Sequence, residues 1–288
     1  MLQESKITFI GPGVMAEAMI VGLLRKKLAK PEAITVAGPN ADRLEFLGQK
    51  YQIHGASDNA TAAADADIII LSVKPQRLDR VLDGLRGKFK PDALVLSIVA
   101  GASIDKISGG LKHKCIVRSM PNTPAQIGEG ITVWTAAPKV LAEQREMARQ
   151  ILGALGEEIF VEEENYLDMA TALSGTGPAY VFLFMEAMVD AGVHLGFPRR
   201  IAERLVAQTV RGSVDYYEKR DDPVHLARLR NEVTSPGGTS AAALYYLEKA
   251  GFRTAISRAI WAAYERSRQL GAGGKTTPPE NVGAVNRE

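Results

Sequence analysis

A single cysteine, Cys115, in a chain of 288 residues excludes any disulfide within the chain. It lies in an apolar, strand-like run and is expected to be a buried small residue, not a nucleophile. Histidines are equally sparse. His54, His113, His194 and His225 are scattered, with no two at the spacing of a metal-ligand pair on a helix, so no metal site is expected. Charge of one sign is also lacking. The formal net charge of +2 gives no bulk case for nucleic acid or an anionic membrane as partner. No charge-free apolar run approaches membrane-spanning length. The opening residues, Met1 to Lys6, lack a basic region followed by an apolar one, so no secretory signal and a cytoplasmic location are expected.

The composition, 46% hydrophobic and 24% charged, suits a soluble globular chain, and the length suits two domains. The first begins at once. Lys6 to Ile10 is a β-rich run, followed by Gly11-Pro12-Gly13-Val14-Met15-Ala16 and a helical stretch to about Lys27. This is the G-x-G-x-x-A dinucleotide fingerprint in its strand–turn–helix context. Gly11 permits the tight turn, Gly13 lets backbone approach a pyrophosphate, and Ala16 keeps helix close to strand. The helix start at Val14 and Met15 then faces the phosphates.

Strands and helices continue to alternate. Ala33 to Ala37, Asp67 to Val73, Ala93 to Val99 and Lys114 to Arg118 read as strands. Ala41 to Tyr51 and Gln76 to Leu85 read as helices. Gly130 to Trp134 and Glu157 to Val161 supply two more strands. Apolar strands alternating with helices indicate a parallel sheet covered on both faces. After the second strand the chain reads Ala37-Gly38-Pro39-Asn40, with no carboxylate to repel a 2′-phosphate and with Arg43 soon after. NADPH is therefore favoured, with NADH as the alternative donor.

After Glu162 the pattern changes to helices alone. Tyr166 to Leu173 is interrupted by Ser174-Gly175-Thr176-Gly177-Pro178, and a long helix follows to about Leu195. Gly196-Phe197-Pro198 stops it and starts the next, Arg199 to about Lys219. Asp222-Pro223 is expected to open another, and Phe252 to Leu270 forms the last. These helices are apolar over much of their circumference and need covering. The expected division is residues 1–162, a Rossmann-type dinucleotide domain; 163–270, an all-helical domain; and 271–288, a mobile tail. Within the second, Val233-Thr234-Ser235-Pro236-Gly237-Gly238-Thr239-Ser240 places small hydroxyls, a proline and two glycines ahead of a helix running to Lys249. Thr239 or Ser240 is expected to cap it. Free N–H groups at such a start suit a small carboxylate.

The segment Leu229 to Glu248 closely resembles the C-terminal signature of pyrroline-5-carboxylate reductases, and the resemblance extends over roughly Lys6 to Leu270. It implies reduction of the C=N bond of 1-pyrroline-5-carboxylate to L-proline by hydride transfer from NAD(P)H, the last step of proline biosynthesis. It also implies a homodimer through the helical domain, with association of dimers left open. By the same resemblance Asn59, Val73-Lys74-Pro75, Ala100-Gly101 and Asn122 join Gly11, Gly13, Val14, Met15, Asn40 and Arg43 around the cofactor. Asn122 is expected near the nicotinamide. Ser235, Gly238, Thr239, Ser240 and Thr171 are expected around the substrate. Ser174 reads equally as a site hydroxyl or a helix kink. Ser240 stands where the family usually has Thr and is the candidate to hydrogen-bond the ring nitrogen. A β-hydroxyacid dehydrogenase would share the layout but normally uses a helix-borne lysine, and Thr171 to Arg199 contains none. A non-catalytic nucleotide sensor would have no need of the intact Ser235–Ser240 run.

Overall fold

The computed structural model describes residues 2–220 and 222–271. The first half alternates β1 (Ile7–Ile10), α1 (Val14–Arg25), β2 (Ile34–Ala37), α2 (Ala41–Tyr51), β3 (His54–Ala56), α3 (Asn59–Ala63), β4 (Ile68–Leu71), α4 (Leu78–Leu85), β5 (Leu94–Ser97), α5 (Ile104–Leu111), β6 (Ile116–Met120), β7 (Gly130–Ala136), α6 (Ala142–Gly153) and β8 (Gly156–Phe160). Then come helices only: α7 (Tyr166–Ala170), α8 (Gly177–His194), α9 (Arg199–Glu218), α10 (Leu226–Glu232), α11 (Thr239–Lys249) and α12 (Phe252–Gly271).

The eight strands form one sheet in the order β3-β2-β1-β4-β5-β6-β7-β8. Strands β1, β4 and β5 are buried at every position, as β-branched and leucine runs covered on both faces must be. The order turns back at β1, flanked by β2 and β4, both parallel to it. That reversal opens a crevice at the carboxyl ends of the strands, where doubly wound sheets bind ligands.

Two features depart from the sequence reading. Strand β7 runs antiparallel to β6, and β8 then runs parallel to β7. Between β6 and β7 there is only the short turn Thr123–Ile127, too little chain for the crossover that a parallel neighbour requires. Strand β3 is the second. His54-Gly55-Ala56 has no strand-forming composition, yet its backbone pairs with Thr35 to Ala37 of β2. Cys115 also differs, being half-buried just before β6 instead of buried.

By packing, the described chain forms two compact units, one of residues 2–176 with 262–271, the other Gly177–Trp261. In the first unit α7 and the end of α12 join the sheet through a buried cation. The Arg118 guanidinium on β6, 5% exposed, bonds Glu164 and Asp168, each at 2.9 Å. The Ser267 hydroxyl donates to Asp168 at 2.8 Å, and the Ile104 N–H donates to Glu164 at 2.8 Å. The switch from alternation to helices near residue 162 therefore does not mark where this packing ends. One apolar cluster, running from Leu2 to Leu155, forms the core.

In the second unit Gly196, at φ +105, ends α8, and Pro198 caps α9, as expected. Helix α10 starts later than Asp222-Pro223 suggests, because the His225 ring accepts from the Ala227 N–H and sets the cap there. The interior of this unit is small: Val189, Ala202 and Val206 are its buried hydrophobic cluster. The continuous helical stretch Tyr166–His194, 29 residues, is long and apolar enough to cross a membrane by length and composition, although it is not charge-free, carrying Asp168, Glu186 and Asp190, and only 11% of its apolar window is buried. The expected mobile tail, 271–288, lies outside the described residues except for Gly271.

Candidate active site

The fingerprint folds as its residues require. Gly11 sits at φ +110, and a Cβ there would lie 2.8 Å from the Ser72 carbonyl oxygen. Ser72 holds the turn from β4, its hydroxyl donating to the Gly11 carbonyl at 2.8 Å. Gly13 is the N-cap of α1 and offers no side-chain cap. The N–H groups of Val14, Met15 and Ala16 therefore have no intrahelical acceptor and stand ready for an anion. Ala16 is fully buried against the sheet.

Beside this turn lies a cavity of about 590 Å³. Gly11, Ala37, Gly38, Pro39, Asn59 and Val73 line it, together with Ser57, Asp58, Ala60 and, from α4 and its N-cap, Arg77, Arg80, Val81 and Gly84. Gly38 has to be glycine, since a Cβ would meet Pro12 Cδ at 2.5 Å. The Asn59 side-chain oxygen is buried with no hydrogen-bond partner. An orphaned acceptor in such a cavity fits a ligand that brings its own donors, as an adenosine does. The glycine-walled turn, the open helix start and this acceptor together fit a dinucleotide. Sequence reasoning passed over the α4 residues. Their spacing of three, four and seven opposite the buried Leu78, Leu82 and Leu85 is the signal that marks them as a second face.

Other expected residues make contacts within the chain or lie outside the cavity lining. Asn40 caps α2, its side-chain oxygen accepting from the Arg43 N–H at 3.0 Å. Arg43 does not line the cavity. Its Nη2 pairs with Glu17 at 2.5 Å, and its Nε donates to the Pro12 carbonyl at 3.0 Å. Burial raises the Glu17 pKa, but Tyr51, Arg43 and Lys50 outweigh it and hold the carboxyl at about 2, so this pair stays charged. Lys74 is exposed and Pro75 half-buried, both outside the cavity lining. Gly101, at φ +72, lacks a side chain for a packing reason. A Cβ there would meet the Ser267 carbonyl oxygen and the Gly271 nitrogen, each at 2.7 Å. The end of α12 packs against Gly101, with Ala100 half-buried alongside. Asn122 pins its loop, its side-chain oxygen accepting from the Ile131 N–H at 3.0 Å.

In the second unit Gly237, at φ +72, turns the chain into α11. The N-cap is Gly238, without a side-chain cap, so neither Thr239 nor Ser240 caps the helix. The Gly238 N–H is itself consumed by the Ser235 carbonyl at 3.0 Å. The first N–H to bond back is that of Ala242, to the Gly238 carbonyl. The free set is thus Thr239, Ser240 and Ala241. In the first unit the Thr171 hydroxyl donates to the Leu167 carbonyl at 2.7 Å, and that of Ser174 to the Ala170 carbonyl at 3.0 Å. Both lie in a π-helical turn, Thr171–Gly175. Such turns often mark functional sites.

Known proteins match along the whole of this layout. The family profile described as pyrroline-5-carboxylate reductase dimerisation matches residues 164–270, and that described as NADP oxidoreductase, coenzyme F420-dependent, matches residues 6–101. A pyrroline-5-carboxylate reductase of Synechocystis is 44% identical over 266 residues, covering 92% of this chain and 98% of that protein. That of Escherichia coli is 37% identical over 268 residues, covering 93% and 98%. The crystal structure of a Plasmodium falciparum pyrroline carboxylate reductase with NADP bound superposes with a TM-score of 0.86 at 33% identity, over 94% of this chain and 100% of that one. At these identities over more than nine-tenths of its length, the chain belongs to the pyrroline-5-carboxylate reductase family.

Proposed function

We propose that this chain reduces the C=N bond of 1-pyrroline-5-carboxylate to L-proline, completing proline biosynthesis, with NADPH as donor and NADH as the alternative. The observation that carries the reading is the start of α11. Three N–H groups without intrahelical acceptors follow a glycine-cornered turn, beside the unbonded hydroxyls of Thr239 and Ser240. Such a start holds a carboxylate by hydrogen bonds and by the helix dipole.

The nicotinamide cofactor, when bound, supplies the hydride, which no side chain can. The chain's own residues position and bind. Ser235 stabilises the turn by accepting from Gly238. Thr239, Ser240 and Ala241 hold the substrate carboxylate, and the Ser240 hydroxyl bonds the ring nitrogen. A protonated imine is already electrophilic, so orientation matters more than a strong general acid. The Thr171 proton is committed to Leu167, which leaves its oxygen as an acceptor for a substrate N–H. Asn122 keeps its amide NH₂ for the carboxamide of the nicotinamide. Gly11, Gly13, Val14 and Met15 take the pyrophosphate, and Asn59 and Val73 the adenosine.

The protein works as a homodimer in the cytoplasm, open to further association of dimers. Support comes from the exposed apolar side chains of α8, Val181 to Phe184, with Leu183 67% exposed. Apolar side chains exposed all round a turn of helix call for a second protein surface.

The deciding test follows NADPH absorbance with and without pyrroline-5-carboxylate, then with NADH, and identifies proline as product. Oxidation independent of the imine would overturn the reading. Ser240→Ala is expected to lower kcat/KM for the imine by about tenfold while cofactor binding stays unchanged.

A further inference from the structure

Helix α4 has two faces with different duties. Leu78, Leu82 and Leu85 are buried in the core. Arg77 at its N-cap, with Arg80, Val81 and Gly84, faces the cavity beside β2. Residues three apart on a helix are neighbours, so the two guanidiniums reach the same volume. Both are exposed, and among the described residues neither makes an ion pair or a hydrogen bond. The carboxylates that could have taken them are engaged elsewhere. Asp79 pairs with Lys106 at 3.0 Å and Asp83 with Arg86 at 2.7 Å. Asp58, which shares the cavity wall, caps α3 through the Thr61 N–H at 2.7 Å. Arg43, the cation nearest in sequence to the end of β2, is held by Glu17 and lies off the cavity.

A dinucleotide seated on the fingerprint places its adenosine ribose by the end of the second strand. Here that end is Ala37-Gly38-Pro39, which lines the same cavity as Arg77 and Arg80. We infer that Arg77 and Arg80 receive the 2′-phosphate of NADPH and set the preference of this enzyme for the phosphorylated cofactor. The inference rests on the dinucleotide reading of the cavity. Guanidinium forks match phosphate oxygens in geometry and charge, and two unpaired forks need no rearranged ion pair to do so.

Calorimetric titration with 2′,5′-ADP and with 5′-AMP tests this without catalysis, on the wild type, on the double variant Arg77→Ser/Arg80→Ser, and on Arg43→Ser. Both α4 positions are exposed, so the double variant folds, which its circular dichroism checks. The wild type is expected to bind 2′,5′-ADP at least about tenfold more tightly than 5′-AMP. The double variant loses that preference with 5′-AMP affinity unchanged, Arg77→Lys/Arg80→Lys restores part of it, and Arg43→Ser keeps it. In turnover, KM for NADPH rises while KM for NADH does not. A double variant that keeps the preference, an equal loss for both nucleotides, or loss of preference in Arg43→Ser overturns the assignment. If the wild type binds neither nucleotide, the dinucleotide reading itself falls and takes the assignment with it.

Discussion

The two packing units stabilise themselves by different means. The sheet unit buries whole strands, Ile68 to Leu71 among them, and closes the buried Arg118 with two carboxylates. The helical unit Gly177–Trp261 gathers only Val189, Ala202 and Val206 into a buried cluster and leaves Phe182, Leu183, Tyr246 and Trp261 more than half exposed. One unit is a core with a surface; the other leaves much of its apolar side-chain area uncovered. Nucleotide recognition belongs to the first because a glycine turn must be held rigidly to bring backbone against phosphate. The proposed substrate turn belongs to the second, where Gly237 and Gly238 shape a helix start.

The largest expected effect strikes the self-sufficient unit. Arg118→Met leaves Glu164 and Asp168 facing each other without their cation and is expected to cost about 3 kcal/mol in urea unfolding. If the variant unfolds like the wild type, the closure of α7 and α12 onto the sheet does not depend on that cation. Next, Phe182→Glu is expected to weaken the dimer by about thirtyfold in sedimentation, since burying such a side chain is worth about 2 kcal/mol. NADPH binding should persist, which keeps the two units distinguishable. Undiminished dimer affinity would show that α8 is not the face that pairs.

Acid sharpens the contrast further. Glu17 holds its proton affinity at about 2, below the usual 4.5. Its contribution is therefore full above about 4.5 and fades as pH falls from there toward 2. Glu17→Gln should lower the urea midpoint at neutral pH and flatten its acid dependence. Equal acid slopes in the two proteins would remove this carboxylate from the account. The smallest effect is expected from Ser240→Thr, which restores the side chain usual in the family. Its kcat/KM should stay within about twofold of wild type, and a larger change would mean that the methyl meets something at the start of α11.

Much of the fold was legible because its signals are local. The β1–turn–α1 fingerprint, the Gly196 stop and the length of α9 each depend on residues that are neighbours in sequence. What was missed depends on distant partners. Nothing near Arg43 shows that Glu17, one helix earlier, will take its guanidinium. Nothing near Gly101 shows that Ser267 and Gly271 will fill the space above it. The direction of β7 was legible in principle, since nine residues between Met120 and Gly130 leave no room for a crossover helix. The cap of α11 misled because hydroxyls usually outrank glycine at that position, and here they stand one and two places inside the helix.

The return of α12 to the sheet bears on the order of synthesis. Gly101 and Asp168 meet Ser267 across long stretches of intervening chain. On the ribosome, the nucleotide unit is therefore the first to begin and the last to be finished. Its turn and its strands emerge early, but the cover over Gly101 arrives only after the helical unit has been translated. A nascent chain stopped before Ser267 lacks the helix end that covers Gly101 and the hydroxyl that donates to Asp168.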